Sequence, residues 1–155
     1  MPTETAQILC TVWWNTNEVL AEQYRDDYGL YKPFSNRKHP SILWTQASIA
    51  NYLWVVDLLE ELCKEFEFRY GHKHKCQMFV DLFRNRFGLP PLLKEEWVPM
   101  SFEYQAITNH DLRDEDPVVA YMMYYIEEKR SFAQWKKTRE APGWWLELIE
   151  EVEIR

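Results

Sequence analysis

Seven residues, Ile49, Tyr52, Val56, Leu59, Cys63, Phe66 and Tyr70, recur at alternating steps of three and four. A half-buried strand would repeat every two residues, so this stripe specifies one helix from about 46 to 70. Val55, Leu58 and Leu62 widen the stripe, which predicts a central helix covered on two sides. Gly71 is its natural stop. Whatever the chain folds into must be arranged around this helix.

The rest of the sequence is read the same way. A first helix spans 3–14, with Thr3 as N-cap and Ile8, Leu9, Val12 and Trp13 at helical spacing. A short second helix covers about 17–25, opened by Asn17 with Glu18 in its first turn. A polar loop follows to Pro40, and Ser41 is placed to cap the next segment. A helix over 74–87 turns Cys76, Phe79, Val80, Phe83 and Phe87 inward and ends at Gly88. Residues 89–113 show no period and contain Pro90, Pro91 and Pro99, so they read as an ordered loop packed by Trp97, Phe102 and Tyr104. Asp116-Pro117 opens a helix to about 137, an N-cap followed by proline at the first helical position. A last helix covers about 143–151 and carries Trp144, Trp145, Leu148 and Ile149. Only four glycines occur, which leaves little room for hairpins. The expected fold is all-α, a single compact domain over 1–155 of five to six helices with a long central one.

Charge and cysteine content narrow the function classes. The formal charge of −7 argues against broad binding to nucleic acid, which depends on neutralising phosphates. The acid is concentrated at the C-terminal end, where Glu140, Glu147, Glu150, Glu151 and Glu153 face only Arg155. Local basic groups remain at Arg69 to Lys75, at Arg84 and Arg86, and from Lys129 to Arg139, enough for a small anionic ligand. Cys10, Cys63 and Cys76 cannot all pair and form no Cys-x-x-Cys, which predicts buried free thiols in a reducing, cytoplasmic setting. No apolar run reaches about 18 residues and no basic segment precedes an apolar one at the start, so neither a membrane span nor a signal peptide is expected.

Large polar-tipped side chains crowd two regions. The first comprises His39, Trp44, Ser48, Asn51, Tyr52 and Trp54. Trp44, Ser48, Asn51 and Val55 share a face if the helix begins early. Asn51 either fixes the path of a neighbouring loop or grips a base edge, with Trp44 or Trp54 stacking. His39, held extended by Pro40, either caps the helix entrance or meets phosphate. The second region is Arg69, His72, His74 and Lys75, which either complement a helix C-terminus or clamp a phosphate. On the later helix, Tyr121, Tyr125 and Lys129 share one face, and Lys129 either snorkels to water or points at an anion. His72 to Cys76 offers no second ligand pair for zinc, and no metal or cofactor is expected. Glu4 lies two residues from Pro2, whose secondary amine, freed by loss of Met1, could attack a sugar aldehyde; the alternative is a first-turn glutamate at a frayed end.

The segments Glu4-Thr5-Ala6-Gln7, His39-Pro40, Trp44, Asn51-Tyr52-Leu53-Trp54, Arg69-Tyr70-Gly71, His74-Lys75, Asp116-Pro117-Val118, Ala120-Tyr121, Tyr124-Tyr125-Ile126, Glu128-Lys129 and Phe132-Ala133-Gln134-Trp135 resemble a family of small proteins common in bacterial viruses. That family is distantly similar to the pyrimidine dimer DNA glycosylases of the endonuclease V type. The resemblance implies a helical fold, an N-terminal amine as nucleophile and an assisting glutamate, for which Glu4 is the match. The sequence departs from the pattern in lacking the segment that precedes that glutamate. It also carries Gln46, Met122 and Ser131 where the pattern has basic residues.

Three functions follow as expectations. The first is a module that binds a nucleotide or short oligonucleotide in an aromatic and cationic pocket, a means of sequestering a host-defence signal in an infected bacterium. The pocket would draw on His39, Trp44, Ser48, Asn51, Tyr52, Trp54, Arg69, His72, His74, Lys75, Tyr121, Tyr125 and Lys129. The second is a DNA glycosylase and lyase using Pro2 and Glu4. The third is an inhibitor that engages a host protein through the acidic, Trp-rich C-terminal helix. A homo-oligomer is compatible with each.

Overall fold

The computed structural model describes residues 1–92, 94–107, 116–129 and 140–147. They are all-α: helices account for the regular structure, and no strand occurs among the described residues. None of the described helices is long and apolar enough to cross a membrane. The chain divides into two compact units, 1–99 and 100–155, which are described separately.

The first unit holds α1 (Pro2–Thr16), α2 (Glu18–Tyr28), α3 (Pro40–Thr45), α4 (Ile49–Tyr70) and α5 (Gln77–Asp81), which runs into a π-helical turn (Leu82–Arg86). Helix α1 packs against α2, α3 and α4 and is the most enclosed of them. Thr5, Ala6, Leu9, Cys10, Thr11, Val12, Trp13 and Trp14 are all buried, so its apolar surface runs nearly around the cylinder. Helix α4 is longer but covered mainly on one side. Its buried residues are Asn51, Tyr52, Val55, Val56, Leu59 and Cys63, and burial ends there, while Leu58 and Leu62 are half-buried. Its last two turns carry the half-buried Phe66 and the exposed Phe68 and Tyr70.

The centre of the unit is aromatic. Trp13 sits edge-on to Tyr24 and Phe87, at ring distances of 5.4 and 5.9 Å, and Tyr24 stacks on Phe87 at 3.9 Å. The indole Nε1–H of Trp13 donates to the Tyr52 hydroxyl at 3.0 Å, which satisfies the polar tip of a fully buried pair. Cys10, Cys63 and Cys76 are free and buried, as their count predicts. Burial pushes the Cys10 thiol up to about 12, so it stays protonated and inert at neutral pH.

Helix ends follow local chemistry with three corrections. Asn17 caps α2 by accepting from the Leu20 N–H, and Gly71 ends α4 at φ +75°. Thr3 does not cap α1; it lies inside the helix, whose N-cap is Met1. Ser41 does not cap either. His39 does so through Nδ1, which accepts from the Ser41 N–H at 3.2 Å, with Pro40 beginning the helix. The helix expected to start near 46 starts at Ile49, because Gln46 terminates the separate α3 and Ser48 supplies the cap. Trp44 therefore stands on a different helix from Asn51.

A Cβ built on Gly71 meets nothing within 4 Å, so only its backbone conformation resists substitution. Gly71→Ala is expected to cost about 1 kcal/mol, read as a shift of the urea midpoint at unchanged slope.

The polar loop between α2 and α3 is held by the other face of α1. Trp14 donates to the Tyr31 carbonyl, Asn15 to that of Arg37 and Gln7 to that of Lys32, while Thr11 Oγ1 accepts from the Phe34 N–H. Its order thus comes from α1 side chains and not from any periodicity of its own.

The second unit contains a 3₁₀ turn (Phe102–Tyr104) and α6 (Pro117–Tyr124), which continues as a π-helical turn (Tyr125–Lys129). Asp116 caps α6 by accepting from the Val118 N–H at 2.9 Å. Ile107, Ala120, Ile126 and Trp145 are buried, as is Gln105, which donates to the Met100 carbonyl. Residues 143–147 are helical. The continuation of the α6 segment to 137, the stretch 148–151 with Leu148 and Ile149, and the side chains of Phe102 and Lys129 lie outside the described residues.

Candidate functional site

The polar-tipped residues collect at two places along α4. At a rise of about 1.5 Å per residue, Arg69 lies about 27 Å from Asn51 along the same helix. One hollow cannot gather both, and the expected single pocket divides into two separate clusters.

The first cluster sits at the N-terminal end of α4. The amides of Ile49 and Ala50, which have no partner within the helix, donate to the carbonyls of Lys94 and Glu95 at 2.8 and 3.1 Å. Asn51 is fully buried. Its Oδ1 accepts from the Val98 N–H at 3.0 Å, and its Nδ2 donates to the carbonyls of Trp44 at 2.9 Å and Val98 at 3.2 Å. Trp44 Nε1–H donates to the same Val98 carbonyl at 2.9 Å. Ser48 is buried and caps α4 through the Asn51 N–H. Tyr52 is buried against Trp13. Asn51, Trp44, Ser48 and Tyr52 thus act as positioning groups: of the two roles read for Asn51, fixing a loop is the one the geometry displays.

What this frame presents to solvent is a tryptophan corner. Trp44 lies edge-on to Trp54 at 5.6 Å and to Trp97 at 5.2 Å, with ring planes near perpendicular. Trp54 is 47% exposed and Trp97 51%. Beside them is an open hollow of ≈ 390 Å³ lined by Lys94, Glu95, Glu96, Trp97 and Val98. Trp97 is a functional candidate that sequence reading assigns only to packing. Its signal was an isolated tryptophan in a segment rich in charge and proline.

The second cluster sits at the C-terminal end of α4, where Gly71 turns the chain back. The Phe66 ring is its hub. It packs on Tyr70 at 4.7 Å and stands perpendicular to His72 at 5.2 Å and to His74 at 4.6 Å. Tyr70 is 48% exposed, and His72, Lys73 and Lys75 are exposed around it. His74 Nδ1 accepts from the Cys76 N–H at 3.0 Å, which leaves Nε2 as the ring's second nitrogen. Partial burial, then the positive charges of Lys75 and the terminal amine, hold the His74 imidazole below its ordinary range, with Glu4 opposing. Arg69 is tied to Glu65 at 2.9 Å and is half-buried. The α-amine of Met1 meets Glu4 at 2.7 Å, and this contact with the amine holds the Glu4 carboxyl below its usual value. Pro2 occupies the first turn of α1, its nitrogen in peptide linkage to Met1.

His39 is half-buried at the start of α3. In the second unit the Tyr121 hydroxyl accepts from the Ala106 N–H at 3.0 Å, whereas Tyr125 is 39% exposed. Trp145 is buried and Trp144 half-buried, their rings 5.9 Å apart. No family model, no curated protein and no solved structure matches this chain.

Proposed function

We propose that this protein binds a nucleotide or short oligonucleotide at the C-terminal end of α4. The observation that carries this reading is the gathering of Tyr70, His72 and His74 on one ring, Phe66, within a run of exposed lysines. A base needs a flat apolar face, and a phosphate needs donors beside it. An exposed tyrosine braced by Phe66 supplies the first, and Lys73, Lys75 and the two imidazoles supply the second. The acidic total charge suits a compact ligand held by a local patch more than a long duplex. Sequestering a nucleotide signal of host defence is the role that the resemblance to bacterial-virus proteins adds.

The test is titration of the purified protein with a panel of mononucleotides, dinucleotides and short oligothymidylates, followed by calorimetry. Tyr70→Ala is expected to weaken binding about tenfold, within the span of stacking energies. The double variant Lys73→Gln, Lys75→Gln should reduce both the affinity and its dependence on salt. Affinity should rise as pH falls below about 6.5, the ordinary imidazole value, because an anion favours protonated histidine and His74 is held below that value. No binding by any member of the panel would end this reading. The reading includes no covalent step. Borohydride treatment in the presence of abasic DNA should leave the protein unmodified, and a trapped adduct would replace binding with glycosylase or lyase chemistry.

A further inference from the structure

We propose that the hollow beside Trp97 is a binding site for an organic cation, a methylated ammonium or a guanidinium group. It lies at the opposite end of α4 from the nucleotide site, so it stands or falls independently of that reading. Three observations carry it.

The first is the wall. Trp97 lines the hollow and keeps half its surface in water, although it is held edge-on by Trp44 and neighbours Trp54 at 6.3 Å. Indole faces attract cations more strongly than other aromatic faces, and diffuse, weakly hydrated cations shed their water to reach them most readily. The second is charge. Glu95 and Glu96 both line the hollow, against a single cation, Lys94. The acids outnumber the base in this short segment, so its local charge disfavours an anion and attracts a cation toward the ring.

The third is rigidity. Residues 94–98 form no helix or strand, yet they are fastened at several points. The α4 amides hold the Lys94 and Glu95 carbonyls, Asn51 holds both backbone groups of Val98, and Trp44 holds the Val98 carbonyl again. Two buried side chains and the two free amides of a helix end are thus committed to a short, exposed segment that contributes only Val98 and Trp97 to apolar contact. A site fastened in this way loses little freedom when a ligand arrives.

The cation can be a free small molecule or the side chain of a peptide, and one NMR experiment separates these sources. Tetramethylammonium, methylguanidinium, the neutral isostere tert-butanol, and peptides bearing trimethyl-lysine or arginine are titrated with the protein. The ligand methyl or methylene resonances are followed for the upfield shift of a group lying over a ring. The cations are expected to bind saturably and tert-butanol not at all. Binding of the free cations marks a small-molecule site, and binding confined to the peptides marks a side-chain reader; either outcome supports the proposal. Trp97→Ala should weaken binding about tenfold, the upper part of the cation–π range. Lys94→Gln, which removes the one repelling charge, should strengthen it several-fold, a gain that loss of structure cannot imitate. The proposal is overturned if tert-butanol binds as well as the cations, if no cation binds, or if Lys94→Gln leaves the affinity unchanged.

Discussion

Trp13→Ala is expected to lower the unfolding free energy of this protein by about 4 kcal/mol, the range for removing a large aromatic side chain from a core. Trp13 is 1% exposed on the most enclosed helix. Its loss opens a void bordered by Tyr24 and Phe87. It also strips the buried Tyr52 hydroxyl of its hydrogen-bond donor. The packing term and the polar term can be separated. Tyr52→Phe keeps the ring but leaves the Trp13 indole N–H without its acceptor, and should cost about 1–3 kcal/mol. Because the two changes share one hydrogen bond, the double variant Trp13→Ala, Tyr52→Phe should be less destabilised than the sum of the singles. Urea denaturation of the four proteins provides the check, and strict additivity would show that the indole–hydroxyl bond contributes nothing.

Asn51→Leu is expected to cost about 3 kcal/mol, although leucine has the same side-chain branching as asparagine and is the better helix former. The amide makes three hydrogen bonds, to Val98 N–H, Val98 C=O and Trp44 C=O. The carbonyls keep other donors, since Trp44 Nε1 still reaches Val98 and the Ala47 N–H still reaches Trp44. The Val98 N–H loses the acceptor that Asn51 provided. Most of the cost is therefore one orphaned donor together with release of a segment. Amide hydrogen exchange reads this directly: Val98, Ile49 and Ala50 should exchange faster in the variant while the Leu9 and Val12 amides of α1 change little. Uniform acceleration would mean global destabilisation only. The same variant should also lose cation binding at Trp97, because the frame that holds residues 94–98 is loosened.

Asn51 also shows where sequence reading stops. Its burial within an apolar run and its need for partners were legible, since a buried amide without them is costly. Its partners were not, because Val98 lies 47 positions away. The expectation that Asn51 and Arg69 share a pocket failed for a reason of length, as one straight helix separates them. His39 and Ser41 compete for the same capping role, and the choice of His39 depends on the chain direction that Pro40 imposes. Phe66 reads in sequence as one more core residue in the stripe. Only the turn at Gly71 brings His72 and His74 back onto its ring.

The amino-acid order alone determined the all-α class and several of the helix ends. Asn17, Gly71 and Asp116 act on backbone groups within a turn or so of themselves, and the apolar steps of three and four report neighbours at the same range. Tertiary structure decided which helix is enclosed, which polar tips are consumed as fasteners and which rings stay in water. Those outcomes depend on contacts between distant segments, whose free energy is set by packing and solvent exclusion in three dimensions and leaves no periodic trace along the chain.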